Sequence, residues 1–282
     1  MFFQKIFMSA WVDMKNFFKY RGLIYELAVR DMKLRYRRPF FGFLWLLILP
    51  FCTAFIYKVL FSDFMHVTSG EYPFFIHLIT AILPWSYFSS SIQGSVKSVL
   101  DSRNIINQIS FPKYLLPVST VFASLINFLP GILVLLGFLI AFHIKISMLI
   151  FLLPVVILIQ TCMAVGLSLL VASLQVIYRD VEYVLQIVMM ALLFLTPAVY
   201  TLEELINKTT ASFAAGYMLN PLVGITNLYR IVIIGGYTHS MPKEINFMNT
   251  LIVPSVFSAA ILIIGYIVFN KYERKFSDYI NV

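Results

Sequence analysis

Six long apolar runs dominate the sequence and leave it few ways to fold. They cover residues 41–61, 73–92, 115–142, 149–174, 183–200 and 250–270. A hydrocarbon core about 30 Å thick needs roughly 20 mainly apolar residues per helical crossing, and each run is near that length. A spanning segment must satisfy its backbone hydrogen bonds internally, and the runs are continuous, not alternating, so helices are expected and not strands. The expected fold class is therefore an all-α integral membrane protein with six transmembrane helices. Composition agrees: 60% of the residues are hydrophobic, 12% are charged and mean hydropathy is +0.87, whereas soluble domains carry about a quarter charged residues. The expected organisation is a cytoplasmic arm (1–40), a membrane domain (41–270) and a cytoplasmic tail (271–282).

Orientation follows from the positive residues of the connections. Sixteen Lys and Arg fall in the arm, in the second and fourth connections and in the tail; four (Lys145, Lys208, Arg230 and Lys243) fall on the other side. Both termini are expected in the cytoplasm. A further apolar run, 214–236, competes as a seventh crossing. It would carry Asn220, Pro221, Asn227 and Arg230 into hydrocarbon, at about 2.5–3.5 kcal/mol for the Arg alone. A re-entrant helical pair broken at Pro221 is the expectation, with protein or a water-filled cavity around its polar groups.

The arm has a pattern of its own. Phe3, Phe7, Ala10, Met14 and Phe17 recur at helical spacing, with Lys5, Ser9, Asp13 and Asn16 on another face, so an amphipathic interface helix is expected. Lys5 interrupts the first residues and no small-residue cleavage site follows, so Met1 is expected to be kept. Arg30, Lys33, Arg35, Arg37 and Arg38 crowd the approach to the first span, where each can meet anionic headgroups at about 1 kcal/mol. Cys52 and Cys162 lie in apolar runs and imply neither a disulfide nor a metal.

Absences restrict function. None of the thirteen carboxylates falls within the six expected spans, and His77 is the one ionisable candidate well inside them, more in keeping with a bond to a neighbouring helix than with a proton relay. No G-x-x-x-x-G-K-[ST] sequence occurs, so nucleotide hydrolysis would have to come from another chain. His66, His77, His143 and His239 lie in separate segments, which disfavours a membrane enzyme. No catalytic or metal site is expected, and nucleic acid is not an expected partner.

Two connections on the cytoplasmic side look suited to protein contact. In 96–110, Val96, Val99, Leu100, Ile106 and Ile109 recur at helical spacing among Lys97, Asp101, Arg103 and Asn104, the pattern of a short amphipathic helix. It can rest on the membrane as a connector or dock in a partner's groove. Tyr178-Arg179-Asp180 is the second, although Asp180 can simply cap the fifth span and Arg179 obeys the charge rule.

At these residues the sequence resembles the membrane subunit of ABC-type polysaccharide exporters, the family that moves O-antigen, wall teichoic acid and capsular chains out of bacteria. The resemblance runs nearly end to end. It rests on Phe41-Gly42-Phe43-Leu44-Trp45, Leu83-Pro84-Trp85 with Tyr87-Phe88, and Phe111-Pro112-Lys113 with Leu116-Pro117. Further along stand Tyr178-Arg179-Asp180-Val181, Thr196-Pro197-Ala198-Val199-Tyr200 and Asn220-Pro221-Leu222. Each motif is weak alone, and their order along a six-span chain makes the set specific. The chain departs from the family pattern before the first-span glycine, where Pro39-Phe40-Phe41 precedes Gly42.

The resemblance implies a multi-pass protein of the bacterial plasma (inner) membrane that is a transport subunit and not an enzyme. Two copies would form a pore, and two copies of a separate ABC ATPase would bind beneath with the ATP and Mg, leaving this chain without a cofactor. The substrate implied is a lipid-linked polysaccharide, O-antigen foremost. A drug or lipid permease of the same family and a membrane enzyme of glycan assembly are the alternatives. Trp45, Tyr57, Trp85, Tyr87, Phe88 and Tyr200 would line the channel, since aromatic rings pack on the C–H faces of sugars; Trp and Tyr also anchor spans at membrane interfaces. Val99, Leu100, Arg103, Ile106, Tyr178, Arg179 and Asp180 would couple to the ATPase. Arg35, Arg37 and Arg38 would bind a lipid pyrophosphate, because guanidinium recognises phosphate oxygens in a fork; positive-inside anchoring explains them as well. Changing these three arginines together to Gln is expected to lower polysaccharide export more than membrane insertion. Unchanged export at normal expression would remove them as a substrate site.

Overall fold

The computed structural model describes residues 19–35, 42–67, 72–109, 111–202, 205, 211–237, 247–273 and 276. The apolar face of the arm (Phe3 to Phe17), Arg37 and Arg38 lie outside them. Among the described residues the regular structure is helical, with one isolated bridge, Ile146 to Ile234. Five helical stretches are long and apolar enough to cross a membrane: Trp45–Phe64, Phe74–Val96, Leu115–Ala141, Met148–Ile177 and Phe247–Glu273.

Helix α1 is Arg21–Arg35. The first crossing stretch is α2 (Trp45–Tyr57), continued without a break by a π-helix, Lys58–Phe64. This stretch starts later than residues 41–61 suggest, because Gly42 turns with φ +49° and a 3-10 turn, Gly42–Leu44, precedes the regular helix. The stretch also runs on to Phe64, and the last one ends at Glu273, so two carboxylates, Asp63 and Glu273, sit within candidate spans, against expectation. Asp63 pairs with Lys58 at 2.8 Å. The two stand five residues apart, which the wide i→i+5 turn of a π-helix brings together.

Helix α3 (Phe74–Val96) is the centre of the bundle, buried along most of its length. Two short helices follow, α4 (Ser98–Asp101) and α5 (Arg103–Gln108). The single amphipathic helix expected at 96–110 is thus broken at Ser102, which lets Val99 turn into the core while Arg103 stays exposed. Next come α6 (Leu115–Ala141) and α7 (Leu153–Ile177), the latter led in by a 3-10 helix, Met148–Leu152.

The fifth run behaves differently. Helix α8 (Val181–Phe194) has 14 residues, about 21 Å at 1.5 Å per residue, short of a full hydrocarbon crossing. Beyond it, Thr196 to Val199 form buried turns. The run at 214–236 holds α9 (Ala211–Met218) and α10 (Pro221–Ile233), separated at Asn220. Asn220 accepts the N–H of Leu222 at 3.0 Å, and Pro221, lacking an N–H, occupies the first helical position. Every residue of α10 after Pro221 is buried. The last helix is α11 (Phe247–Glu273).

Two features bring these helices close. Gly166 of α7 faces α11 so tightly that an added Cβ would stand 2.6 Å from the backbone of Ile261, and Gly265 meets the Gly166 backbone in return. Small residues of this kind allow close approach where lipid gives no hydrophobic drive. The second is a set of buried polar ties. Gln160 of α7 donates to the Pro84 carbonyl of α3 at 2.7 Å and accepts from the Tyr229 hydroxyl of α10 at 2.6 Å. Tyr87 and Thr161 share a hydrogen bond of 2.8 Å, and the Tyr87 ring stacks on Phe128.

Two apolar clusters result. The larger surrounds α3, and the smaller gathers Ile24, Leu27, Val99, Leu115, Leu116, Val176 and Phe269 at one end of the bundle. Replacing Gly166 by Val is expected to lower stability by about 1–3 kcal/mol through overpacking, seen as a lower melting temperature in detergent. Gly137, which has open space around its Cβ position, serves as the control, and Gly137→Ala is expected to leave the melting temperature unchanged.

Candidate translocation groove and coupling surface

A groove of about 640 Å³ opens between α2, α3 and α8. Its walls differ in chemistry. Helix α3 contributes Ser86, Ser89, Ser90 and Gln93, spaced i, i+3, i+4 and i+7 and so on one face. Leu49, Pro50 and Leu193 face it from α2 and α8, with Tyr57 and Trp85 supplying aromatic surface and Glu182 a lone carboxylate. The serine hydroxyls are anchored by donating locally: Ser86 to the Leu83 carbonyl at 2.8 Å, Ser90 to that of Tyr87 at 3.1 Å. Their oxygens keep acceptor capacity toward the groove. Gln93 donates to Ser89 at 2.5 Å. Such a surface offers hydroxyl partners on one side and apolar faces on the other.

The six aromatic candidates separate. Tyr57 and Trp85 line the groove. Tyr87 and Phe88, next to Trp85 on α3, are buried within the subunit, at 2% and 1% exposure. Their position follows helical geometry, since successive residues turn by about 100° and only one face of α3 meets the groove. Trp45 is half-buried at the start of α2. Tyr200 is engaged elsewhere: its hydroxyl meets that of Tyr217 at 2.6 Å and donates to the Phe194 carbonyl at 3.0 Å.

The coupling candidates gather at the end of the bundle that holds the smaller cluster. Val99 is fully buried there, and Leu100 and Ile106 pack against the same cluster. Arg103 is exposed, as are Tyr178, Arg179 and Asp180. Asp180 does not cap α8 with its side chain. Gln175 does that work instead, accepting the N–H of Glu182 at 2.9 Å while donating to the Arg179 carbonyl at 2.9 Å. The longer amide bridges the whole turn, which a carboxylate at the cap position cannot.

Ion pairs bind this end together. Lys97, between α3 and α4, meets Glu182 of α8 at 2.6 Å, and donating to that carboxylate holds the Lys97 ammonium above the ordinary lysine range. Arg30 of α1 pairs with Asp31 at 2.9 Å and reaches Ser102 at 3.4 Å, while Asp31 accepts from Thr120 of α6 at 3.2 Å. Helix α1 is thereby fastened to the break between α4 and α5. Arg35 closes α1.

Sequence reasoning missed the serine face, although its i, i+3, i+4, i+7 spacing was there to be read. It also treated Arg230 only as a costly passenger. Arg230 is fully buried, donating to the carbonyls of His77 at 3.2 Å and Ala198 at 3.4 Å. His77, for its part, contacts the Tyr200 carbonyl at 3.4 Å, a bond from its helix to a neighbouring segment.

Comparison with known proteins places this arrangement. Residues 22–234 match the family model described as ABC-2 type transporter. The chain is similar to the O-antigen export system permease protein RfbA of Myxococcus xanthus, with 30% identity over 228 residues, covering 81% of this chain and 85% of that one. It is also similar to the protein of the same name from Klebsiella pneumoniae, with 27% identity over 262 residues, covering 91% of this chain and 96% of that one. The family match spans α1 through α10 and includes the groove, the coupling end and the buried arginine: the chain belongs to the ABC-2 type transporters.

Proposed function

We propose that this chain is the membrane-spanning permease subunit of an ABC exporter that carries O-antigen, a lipid-linked cell-surface polysaccharide, across the bacterial plasma membrane. The observation that carries this reading is the near full-length similarity to permeases named for O-antigen export. The groove's chemistry supports it, since a hydroxylic wall opposite an apolar one suits a sugar chain better than a lipid tail or a flat drug. No observation favours the alternative substrates or an enzyme.

The count of positive residues supports placing the smaller cluster, α4, α5 and both termini in the cytoplasm. Six crossings then include α8, which the turns at 195–200 extend inside protein, and α9 with α10 dip back from the outer side as the re-entrant pair. Two copies complete the pore by closing the open side of each groove. The motor is a separate ATPase, present in two copies, that holds ATP and Mg. Its contact surface is Arg103, Tyr178, Arg179 and Asp180, backed by Val99, Leu100 and Ile106 from within. Tyr57 and Trp85 touch the glycan, and Trp45, Tyr87, Phe88 and Tyr200 shape the wall behind them. In this reading Arg35, Arg37 and Arg38 meet headgroup or carrier phosphates on the cytoplasmic face.

Motion of the ATPase reaches the groove through Lys97 and Glu182, because Glu182 is both a groove residue and the ionic partner of the α3–α4 connection. Deletion of the gene is expected to remove O-antigen from the cell surface while lipid-linked polymer accumulates inside; retention of surface O-antigen would overturn the reading. Trp85→Ala is expected to lower export about fivefold, equivalent to about 1 kcal/mol of lost contact, with membrane levels unchanged. Lys97→Glu and Glu182→Lys are each expected to uncouple ATP hydrolysis from export in the assembled complex. The double exchange is expected to restore coupling, measured as polymer exported per ATP hydrolysed.

A further inference from the structure

The polar wall of the groove has spent most of its donors on itself. Thr53, Ser86 and Ser90 each give their one hydroxyl hydrogen to a carbonyl of their own helix, at 2.8, 2.8 and 3.1 Å. Gln93 gives an amide hydrogen to Ser89 at 2.5 Å. What these side chains keep for the groove is lone pairs, on the hydroxyl oxygens of Thr53, Ser86 and Ser90 and on the amide oxygen of Gln93. The remaining donors of the wall, on Tyr57, Trp85, Ser89 and the second amide hydrogen of Gln93, are neutral. Among the described residues that line the groove there is no Lys, Arg or His, and Glu182 is a carboxylate.

Charge around the mouth leans the same way. Gln93 and Gly94 lie in the last turn of α3, where the terminal carbonyls carry partial negative charge. Helix α8 brings its positive end to the mouth, yet its first turn already holds Glu182, whose N–H is taken by Gln175 at 2.9 Å. Lys97, just beyond α3, is bound to Glu182 at 2.6 Å, and Arg30 to Asp31 at 2.9 Å, so both cations are engaged. Burial holds the Asp101 carboxyl above its ordinary range, with Lys97 and Arg30 opposing the shift and Asp31 and Glu182 adding to it. Three carboxylates thus stand against two occupied cations. Arg103 and Arg179, exposed at the same end, are not part of the groove wall.

An anion brought into this groove gives up water and gains no counter-charge. A carboxylate or phosphate oxygen can only accept, so it meets the oxygens of Thr53, Ser86, Ser90 and Glu182 as one acceptor meets another. An uncharged sugar hydroxyl donates to each of them, while Leu49, Pro50, Trp85 and Leu193 offer surface to the C–H faces of the ring. Discrimination of this kind comes from the mismatch offered to the wrong ligand as much as from the contacts offered to the right one.

We propose that the groove between α2, α3 and α8 selects uncharged sugar residues against anionic ones, so that the glycan it carries is a neutral polymer with no uronate or phosphate in its repeat. That the selected glycan is also the exported cargo rests on the export reading above; the preference of the groove does not. The preference concerns the repeating units that follow one another through the groove and not a single phosphate-bearing end.

Two measurements test it. The first starts from the deletion strain: the polymer that it loses from the surface is isolated from the wild type, and its repeat is expected to hold no uronic acid, phosphate or other acidic substituent. An acid in the repeat overturns the proposal and leaves the export reading standing. A deletion strain that keeps its O-antigen overturns the export reading, and the preference of the groove is then decided by the second measurement. There the full-length chain in phosphatidylcholine nanodiscs is titrated at low salt with maltoheptaose and with the same heptamer oxidised at C6 to the polyglucuronate. The neutral sugar is expected to bind about tenfold more tightly. Gln93 is exposed at the mouth; Gln93→Lys is expected to narrow the gap to about threefold and Gln93→Glu to widen it. High salt is expected to narrow it in the wild type, because charges in a groove open to water are screened. Should Gln93→Lys fail to fold, Gln93→Glu and the salt series carry the test. Equal affinities, tighter binding of the polyglucuronate, no binding of either sugar, or a gap that neither the Gln93 variants nor salt can move overturns the proposal.

Discussion

Polar groups inside a bilayer have no water to turn to, and the bundle is organised around that constraint. Gln160 is its clearest expression. One amide spans α3, α7 and α10, giving to the Pro84 carbonyl and taking from the Tyr229 hydroxyl. Apolar contact cannot choose among helix registers in lipid, because tails are as greasy as side chains; hydrogen bonds and small residues can. Each such bond contributes only about 0.6 kcal/mol on average, so its value lies in selecting one arrangement. The serines along α3 and the glycines of α7 and α11 act in the same way.

The candidate functional surfaces are where that rule is relaxed. In the groove, hydroxyls are tied on their donor side and left with open acceptor capacity. At the coupling end, charges are paired across elements and partly open to solvent, so their strength is modest while their connectivity is wide. At Asn227, buried on α10, both amide atoms lack a partner. These places differ in exposure, and in each the chain leaves polar capacity unspent, which suits surfaces that exchange partners during a cycle.

Much of this was legible in the residues. Helical class, five of the crossing stretches and the break before Pro221 follow from run length, continuity and the Asn-Pro pair. What escaped depends on distances that spacing does not encode. Gly42 sets the start of α2 by its left-handed φ, and the π-helical continuation carries the stretch on past Asp63. Ser102 breaks the amphipathic segment because Val99 finds a buried slot among residues far apart in sequence. Gln175 replaces Asp180 as the cap because its longer side chain reaches both sides of the turn. The aromatic candidates rest on residue type and on the spans that carry them, and helical rotation separates Trp85 from Tyr87 and Phe88.

The backbone contact between Gly166 and Gly265 fixes which parts of the molecule can be the machine's frame. Two helices that touch main chain to main chain cannot slide or tilt against each other without collision, so α7 and α11 travel as a single strut. By contrast α2 and α8 bury few residues, with Pro50 and Ala54 on one and Leu185 and Met189 on the other. In the proposed exporter a stroke from the ATPase would meet a stiff post and two lightly held staves, and widening of the groove would fall to the staves.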